Sequence, residues 1–175
     1  MTAVLHVASQ SLAQTLAIGA SVGRVAQAGD IVGLVGELGA GKTQFVRGLA
    51  EGLGLDPRVV SSPTFVLVHE YEPADPDDPD ALVLVHIDAY RLADAGPADL
   101  DALGWADELF EQAVVAVEWA DLIQPHLGDD WLAVHLVHTN AGRAVTLSAH
   151  GRWAPRIELL QTELTRAGVA PQPSH

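Results

Sequence analysis

A glycine-rich loop between a predicted strand and a predicted helix constrains the fold of this chain more than any other feature. The loop, residues 36–43, fits the phosphate-binding pattern G-x-x-x-x-G-K-[ST] and contains Lys42, the only lysine in the sequence. The apolar run Ile31–Val35 precedes it, as expected for a strand buried on both faces of a parallel sheet. Residues 43–53 follow with apolar side chains at helical spacing. This order of strand, loop and helix predicts a nucleoside triphosphate site.

The residue types in the loop indicate how it holds a nucleotide. Glycines let the backbone turn its N–H groups toward phosphate, and the N-terminus of the following helix adds partial positive charge. We expect Lys42 to reach the β- and γ-phosphates, and the Thr43 hydroxyl to bind Mg²⁺. The predicted nucleotide-binding residues of the loop are Gly36, Glu37, Leu38, Gly39, Ala40, Gly41, Lys42 and Thr43.

Two carboxylates follow apolar runs and are candidates for the metal site. Asp88 comes directly after residues 82–87, and Glu118 directly after residues 113–117. Enzymes with this kind of loop need an acidic residue for Mg²⁺ or for its water, at the end of a neighbouring strand. We expect both carboxylates at the carboxyl edge of the sheet, where ligands bind in open α/β folds. A simple strand-end or capping role is the alternative for each.

A hydroxyl-rich segment, Ser61-Ser62-Pro63-Thr64, precedes another predicted strand. Hydroxyls beside a rigid proline fit an ordinary Ser/Thr turn. They equally fit a mobile loop in which Thr64 senses the γ-phosphate and Mg²⁺, as switch loops do. The local chemistry leaves both alternatives open.

Composition and charge exclude several functions. The chain has no cysteine and a formal net charge of −14. The absence of cysteine excludes disulfides and thiolate metal sites and fits a reducing compartment, so we expect a cytoplasmic protein. The negative net charge argues against stable direct binding to nucleic acid or to an anionic membrane, because a protein that binds either one needs a basic face. No run is long and apolar enough to span a membrane, and the uncharged N-terminus lacks the basic region of a signal peptide.

The apolar patterns predict one α/β domain over residues 1–167 and a flexible tail over residues 168–175. The predicted fold class is a three-layer sandwich like that of P-loop NTPases, with a mixed, largely parallel central sheet and a C-terminal β-hairpin plus helix. An acidic, proline-broken connector at residues 72–80 is expected to close another hairpin. The predicted strands are 3–7, 31–35, 65–71, 81–87, 113–117, 131–138 and 143–150. The predicted helices are 11–26, 43–53, 98–103, 106–112 and 153–166.

Taken together, these segments resemble one family: TsaE, the bacterial ATPases of tRNA threonylcarbamoyladenosine biosynthesis. The similarity covers about residues 15–119 and departs from the family at Ala89, which is usually leucine, and at Ala120, which is often proline. Neither departure removes a functional group. Besides the loop, the matching residues are Arg47-Gly48, Ser62-Pro63-Thr64-Phe65, His86-Ile87-Asp88-Ala89-Tyr90-Arg91-Leu92, Leu103-Gly104 and Glu118-Trp119.

The resemblance implies a catalytic set of Lys42, Asp88 and Glu118. It implies that Thr43, Asp88 and Glu118 serve the metal, and that the two carboxylates also serve the attacking water. Thr64 is implied to belong to a nucleotide-sensitive loop, and Trp119 to lie near the nucleotide.

The resemblance also implies Mg²⁺-dependent ATP hydrolysis in concert with a protein complex, TsaB–TsaD. By this analogy the chain sustains rounds of tRNA modification beside the anticodon and contacts tRNA only indirectly. The low basic content agrees with a partner that holds the RNA.

Three other functions share the same loop. A small-molecule or nucleotide kinase needs a lid with clustered arginines, yet residues 94–130 contain no arginine or lysine. Such a cluster could still gather from Arg143, Arg152 and Arg156. A GTPase commonly needs an Asn-Lys-x-Asp element, and no second lysine exists to build it. An ATP-operated docking switch with negligible hydrolysis is the third alternative, because loops gated by a γ-phosphate are how such switches work.

Overall fold

The computed structural model describes residues 2–63, 67–92, 99, 102 and 108–172. Thr64, Phe65, Leu103 and Gly104, which carry part of the resemblance, lie outside the described residues. Most of the predicted helix 98–103 also lies outside them, and the next predicted helix is described only from residue 108.

Seven strands of the described chain form one sheet with a parallel centre. The strands are β1 Ala3–Ser9, β2 Ile31–Val35, β3 Val68–Tyr71, β4 Leu84–Asp88, β5 Val114–Glu118, β6 Trp131–Thr139 and β7 Gly142–Ala149. Strands β6, β2, β5 and β4 run parallel to one another. The pairs β1–β7, β7–β6 and β4–β3 are antiparallel, which confirms both predicted hairpins. Across the sheet the order is β1-β7-β6-β2-β5-β4-β3.

Helices cover both faces of this sheet, which confirms the expected three layers. The α-helices are α1 Leu12–Val25, α2 Lys42–Gly52, α3 Glu108–Gln112 and α4 Ile157–Arg166. One apolar cluster joins the sheet to α1, α2 and α4, and includes the buried side chains of Leu34 and Phe45. A second cluster lies on the other face, where Ile87 packs with Ile123 of a 3-10 helix, Ala120–His126. Among the described residues, no helix has both the length and the apolar character needed to cross a bilayer.

The C-terminal helix differs from expectation at its start. The predicted helix 153–166 begins as a 3-10 helix, Gly151–Arg156, and becomes α-helical only after Arg156, whose φ of −96° and ψ of 2° are not α-helical. Two of residues 168–172 contact the fold: Val169 is buried, and the Gln172 N–H donates to the His6 carbonyl at 2.7 Å. Strand β1 lies at the edge of the sheet, so its backbone has acceptors free for such a contact. The flexibility of residues 168–175 stays a prediction.

Helices α1 and α2 cross at glycines, and this crossing positions the phosphate loop. A Cβ built on Gly48 of α2 would overlap the carbonyl of Leu16 in α1, and one built on Gly19 would overlap the carbonyl of Phe45. The backbones therefore touch directly, with no room for a side chain between them. Because α2 begins where the loop ends, this contact helps to set the place of the loop on the sheet.

Replacing Gly48 with alanine is expected to lower the free energy of unfolding by about 1–3 kcal/mol, because the added methyl must push the two backbones apart. Urea denaturation measures the loss. Glu51→Ala, at an exposed position of the same helix, is the matched control and is expected to change stability by about 0.5 kcal/mol or less. Equal stability of Gly48→Ala and the wild type would show that the helices separate without loss.

Candidate active site

The glycine-rich loop connects the end of β2 to the start of α2, as its sequence predicts. Gly39 and Gly41 have φ angles of +78° and +106°, in the left-handed region that side chains other than glycine rarely adopt. Gly41 is also the residue that precedes the first turn of α2. The loop backbone therefore curls directly before the N-terminus of a helix, an arrangement that binds anions.

A cleft of about 600 Å³ opens at this loop. Gly36, Glu37 and Ala40 belong to the loop without lining the cleft, and Ala40 is buried beneath it. The structure thus brings most of the predicted site residues together, although they come from distant parts of the chain. Those that line the cleft are Leu38, Gly39, Gly41, Lys42, Thr43, Asp88, Glu118 and Trp119.

Lys42 is buried in the wall of the cleft. Its Nζ donates to the carbonyls of Gly36 at 2.7 Å and Glu37 at 3.0 Å, and lies 3.9 Å from the centre of the Trp119 ring. Burial lowers the pKa of Lys42 below its ordinary value, and the negative charge of Glu118 partly opposes that shift. A phosphate would give this desolvated ammonium a stronger acceptor than the two carbonyls provide.

The two candidate carboxylates lie side by side at the carboxyl edge of the sheet, as expected. Asp88 and Glu118 are the last residues of β4 and β5 and face each other in register. Both are buried. The Tyr90 N–H donates to Asp88 Oδ1 at 2.9 Å, and the Thr43 hydroxyl donates to Glu118 Oε1 at 2.8 Å. Glu118 is therefore joined directly to the phosphate loop.

A buried histidine, to which the sequence analysis assigned no role, also contacts this carboxylate. His86 is fully buried, and its Nε2 lies 2.9 Å from Glu118 Oε1. Its Nδ1 has no hydrogen-bond partner among the described residues. The tautomer with the proton on Nε2 satisfies this arrangement, because Nε2 then donates to the carboxylate. His86 lies two residues before Asp88, so strand periodicity places both side chains on one face of β4. This spacing is the sequence signal that could have identified His86 as part of the site.

The oxygen atoms at this edge suit Mg²⁺ bound together with a nucleotide. Mg²⁺ is usually held by one or two carboxylates together with substrate phosphates and water. Thr43, Asp88 and Glu118 offer one hydroxyl and two carboxylates. The described residues contain no group of three or more His, Cys, Asp or Glu side chains placed to hold a metal ion. One hydroxyl and two carboxylates leave places in the octahedral shell of Mg²⁺ that phosphate and water would fill.

Trp119 has an unusual backbone conformation beside the cleft. Its φ of +59° is uncommon for a residue with a side chain, and such conformations concentrate at functional sites. The indole packs against the Tyr90 ring, with 5.2 Å between ring centres, and against Lys42.

Ser62 lines the cleft as well, which brings the hydroxyl-rich segment to its rim; Thr64 itself lies outside the described residues.

The arginines needed for a kinase lid do not gather at this cleft. Arg143 lines it, whereas Arg156 forms a salt bridge of 2.7 Å with the buried Asp30. Arg152 lines a separate cavity beside Gly29. Of the three arginines from which a kinase lid could gather, Arg143 alone lines the described cleft.

Comparisons with known proteins show close similarity to one family. A family model described as "Threonylcarbamoyl adenosine biosynthesis protein TsaE" matches residues 9–145. A Bacillus subtilis protein named tRNA threonylcarbamoyladenosine biosynthesis protein TsaE is 39% identical over 156 residues, covering 87% of this chain and 89% of that protein. A Mycobacterium tuberculosis protein of the same name is 40% identical over 126 residues, covering 70% of this chain and 72% of that protein. The crystal structure of Bacillus subtilis YdiB superposes with a TM-score of 0.68 at 32% identity, covering 96% of this chain and 98% of that one.

Proposed function

The chain belongs to the TsaE family of P-loop NTPase-like proteins, and from this premise we propose that it is the ATP-hydrolysing component of tRNA threonylcarbamoyladenosine biosynthesis. Its curated relatives are named for that pathway. The observation that supports hydrolysis best is the direct bond from the Thr43 hydroxyl to Glu118, with Asp88 in register beside it. This bond connects the phosphate loop to the carboxylate pair that hydrolysis needs.

In the proposed reaction, the ammonium of Lys42 leaves the Gly36 and Glu37 carbonyls and donates to the β- and γ-phosphates. The curled loop presents its N–H groups to the same phosphates, and Trp119 lies beside the nucleotide. Mg²⁺, when bound, neutralises charge on the phosphate oxygens. Thr43, Asp88 and Glu118 are the residues that would hold it, and the two carboxylates also orient the attacking water. The hydrogen bond from His86 holds Oε1 of Glu118, so Oε2 is the oxygen left to contact the metal or the attacking water.

The proposed protein partner is the TsaB–TsaD complex. Leu12, Leu38 and Tyr90 line the nucleotide cleft and are 57%, 88% and 58% exposed. Large apolar side chains exposed this fully at the rim of a cleft favour a protein that covers the rim. The net charge of −14 favours a partner with a complementary basic surface and disfavours direct contact with tRNA.

ATP hydrolysis is expected to be weak for the protein alone and to rise clearly when TsaB–TsaD is added, because docking at the rim would complete the site around the nucleotide. Steady-state phosphate release with and without the complex measures this. Equal rates in both conditions would contradict activation by the partner.

An ATP-operated docking switch with negligible hydrolysis is the second candidate. Multiple-turnover modification separates it from hydrolysis, using tRNA, threonine, bicarbonate and the other pathway enzymes. If hydrolysis sustains turnover, replacing ATP at this protein with a non-hydrolysable analogue limits the yield to about one round. If docking alone matters, the analogue supports repeated rounds.

A further inference from the structure

Arg143, at the start of β7, holds the phosphate loop from outside the loop itself. Its Nε donates to the carbonyl of Ala40, and its Nη2 donates to the carbonyl of Gly39 at 3.3 Å. The contact is close: a Cβ built on Gly41 would lie 3.1 Å from Arg143 Nε. One guanidinium thus bridges two consecutive peptide groups of the loop.

The hydrogen bonds to the Gly39 and Ala40 carbonyls matter because the loop uses its N–H groups to bind phosphate. A phosphate loop turns N–H groups toward the anion, so neighbouring carbonyls that point elsewhere need donors of their own. Lys42 supplies donors for the carbonyls of Gly36 and Glu37, and Arg143 supplies them for Gly39 and Ala40. If Lys42 turns to a phosphate, Arg143 still holds its two carbonyls.

The backbone that carries this guanidinium lies inside the sheet. Arg143 pairs with Ser9 of β1 and with His138 of β6, so strands flank it on both sides. Its planar fork presents several N–H donors in a fixed arrangement, which the single ammonium of a lysine does not. The two hydrogen bonds therefore connect the loop to strand β7.

We propose that Arg143 is a positioning residue that keeps the phosphate loop in the conformation that binds the β- and γ-phosphates. This inference rests on the proposed nucleotide function. The side chain acts through the Gly39 and Ala40 carbonyls, so its effect differs from simple attraction of a cation for phosphate.

The test compares ADP binding by calorimetry in the full chain as wild type, Arg143→Met and Arg143→Lys. Arg143→Met is expected to weaken ADP binding about tenfold, since affinity falls with the fraction of loops already in the binding conformation. Arg143→Lys is expected to lose most of the same ADP affinity, because lysine keeps the positive charge but lacks the planar set of N–H donors. Arg166→Met removes one charge at an exposed pair with Glu163 and is expected to bind ADP as the wild type does.

Amide hydrogen exchange without nucleotide provides a second readout. In Arg143→Met, the loop amides of residues 37–41 are expected to exchange faster, while those of β2 and α1 keep their protection. Full affinity in Arg143→Lys, or unchanged affinity and exchange in Arg143→Met, would overturn the positioning role and leave the proposed function intact. Absence of ADP binding by the wild type would instead refute the proposed function, together with the inference that rests on it.

Discussion

Lys42→Met is expected to weaken ATP binding at least about 100-fold and to abolish support of tRNA modification. The loss corresponds to about 2.7 kcal/mol, within the range of one or two hydrogen bonds to a charged group. Methionine keeps a flexible, unbranched side chain against Trp119, so the change removes the ammonium and preserves most of the packing. Calorimetric titration with ATP and a multiple-turnover modification assay measure the two effects.

Arg166→Met is the control for this substitution, since it removes the same charge at an exposed site far from the loop in sequence. The free energy of unfolding of each variant shows whether the fold is preserved. ATP affinity and modification at wild-type levels in Lys42→Met would place the main phosphate contact elsewhere in the cleft. Arg143, the other cation that lines the described cleft, would be examined next.

Glu118→Gln is expected to keep nucleotide affinity within about threefold and to lower the turnover number in the presence of TsaB–TsaD by about 100- to 10,000-fold, as for loss of a general base. The amide cannot supply the negative charge that the metal and the attacking water need. Its oxygen still accepts the hydrogen bonds of Thr43 and His86, so the local structure is preserved. Single-turnover hydrolysis and ATP titration separate the chemical step from binding.

The choice of glutamine follows from His86. Glu118→Ala would remove the hydrogen bond between the buried His86 ring and residue 118, at a destabilisation of about 1–3 kcal/mol. Asp88→Asn, measured in parallel, separates the roles of the two carboxylates through the Mg²⁺ concentration that each variant requires. Normal turnover by Glu118→Gln would place the activation of water on Asp88.

Local sequence patterns predicted the elements around the site well. The strand Ile31–Val35 and the helix after the loop occur where periodicity places them, because each pattern depends on residues within a few positions of one another. The carboxylates at the ends of two apolar runs met at one sheet edge, since parallel strands end on the same side. The assigned roles of these residues stay predictions until the variants are measured.

The contacts that complete the site were not predicted because they join distant residues. His86 and Glu118 are 32 positions apart, and Arg143 and Ala40 are 103 apart. The resemblance noted in the sequence ended near residue 119, whereas the family model extends to residue 145 and includes Arg143. The first four residues of the predicted terminal helix, 153–156, belong to a 3-10 helix, and the α-helix starts only after Arg156, whose backbone is not α-helical.

The sequence by itself determined the phosphate loop, since glycine spacing, one lysine and the flanking apolar runs act within a single strand–loop–helix unit. Only the tertiary structure decided which side chains support that unit. The order β1-β7-β6-β2-β5-β4-β3 places β7 with Arg143 within reach of the loop and β4 with His86 beside Glu118. Strand order results from packing and pairing over long separations, which no local pattern of residues encodes.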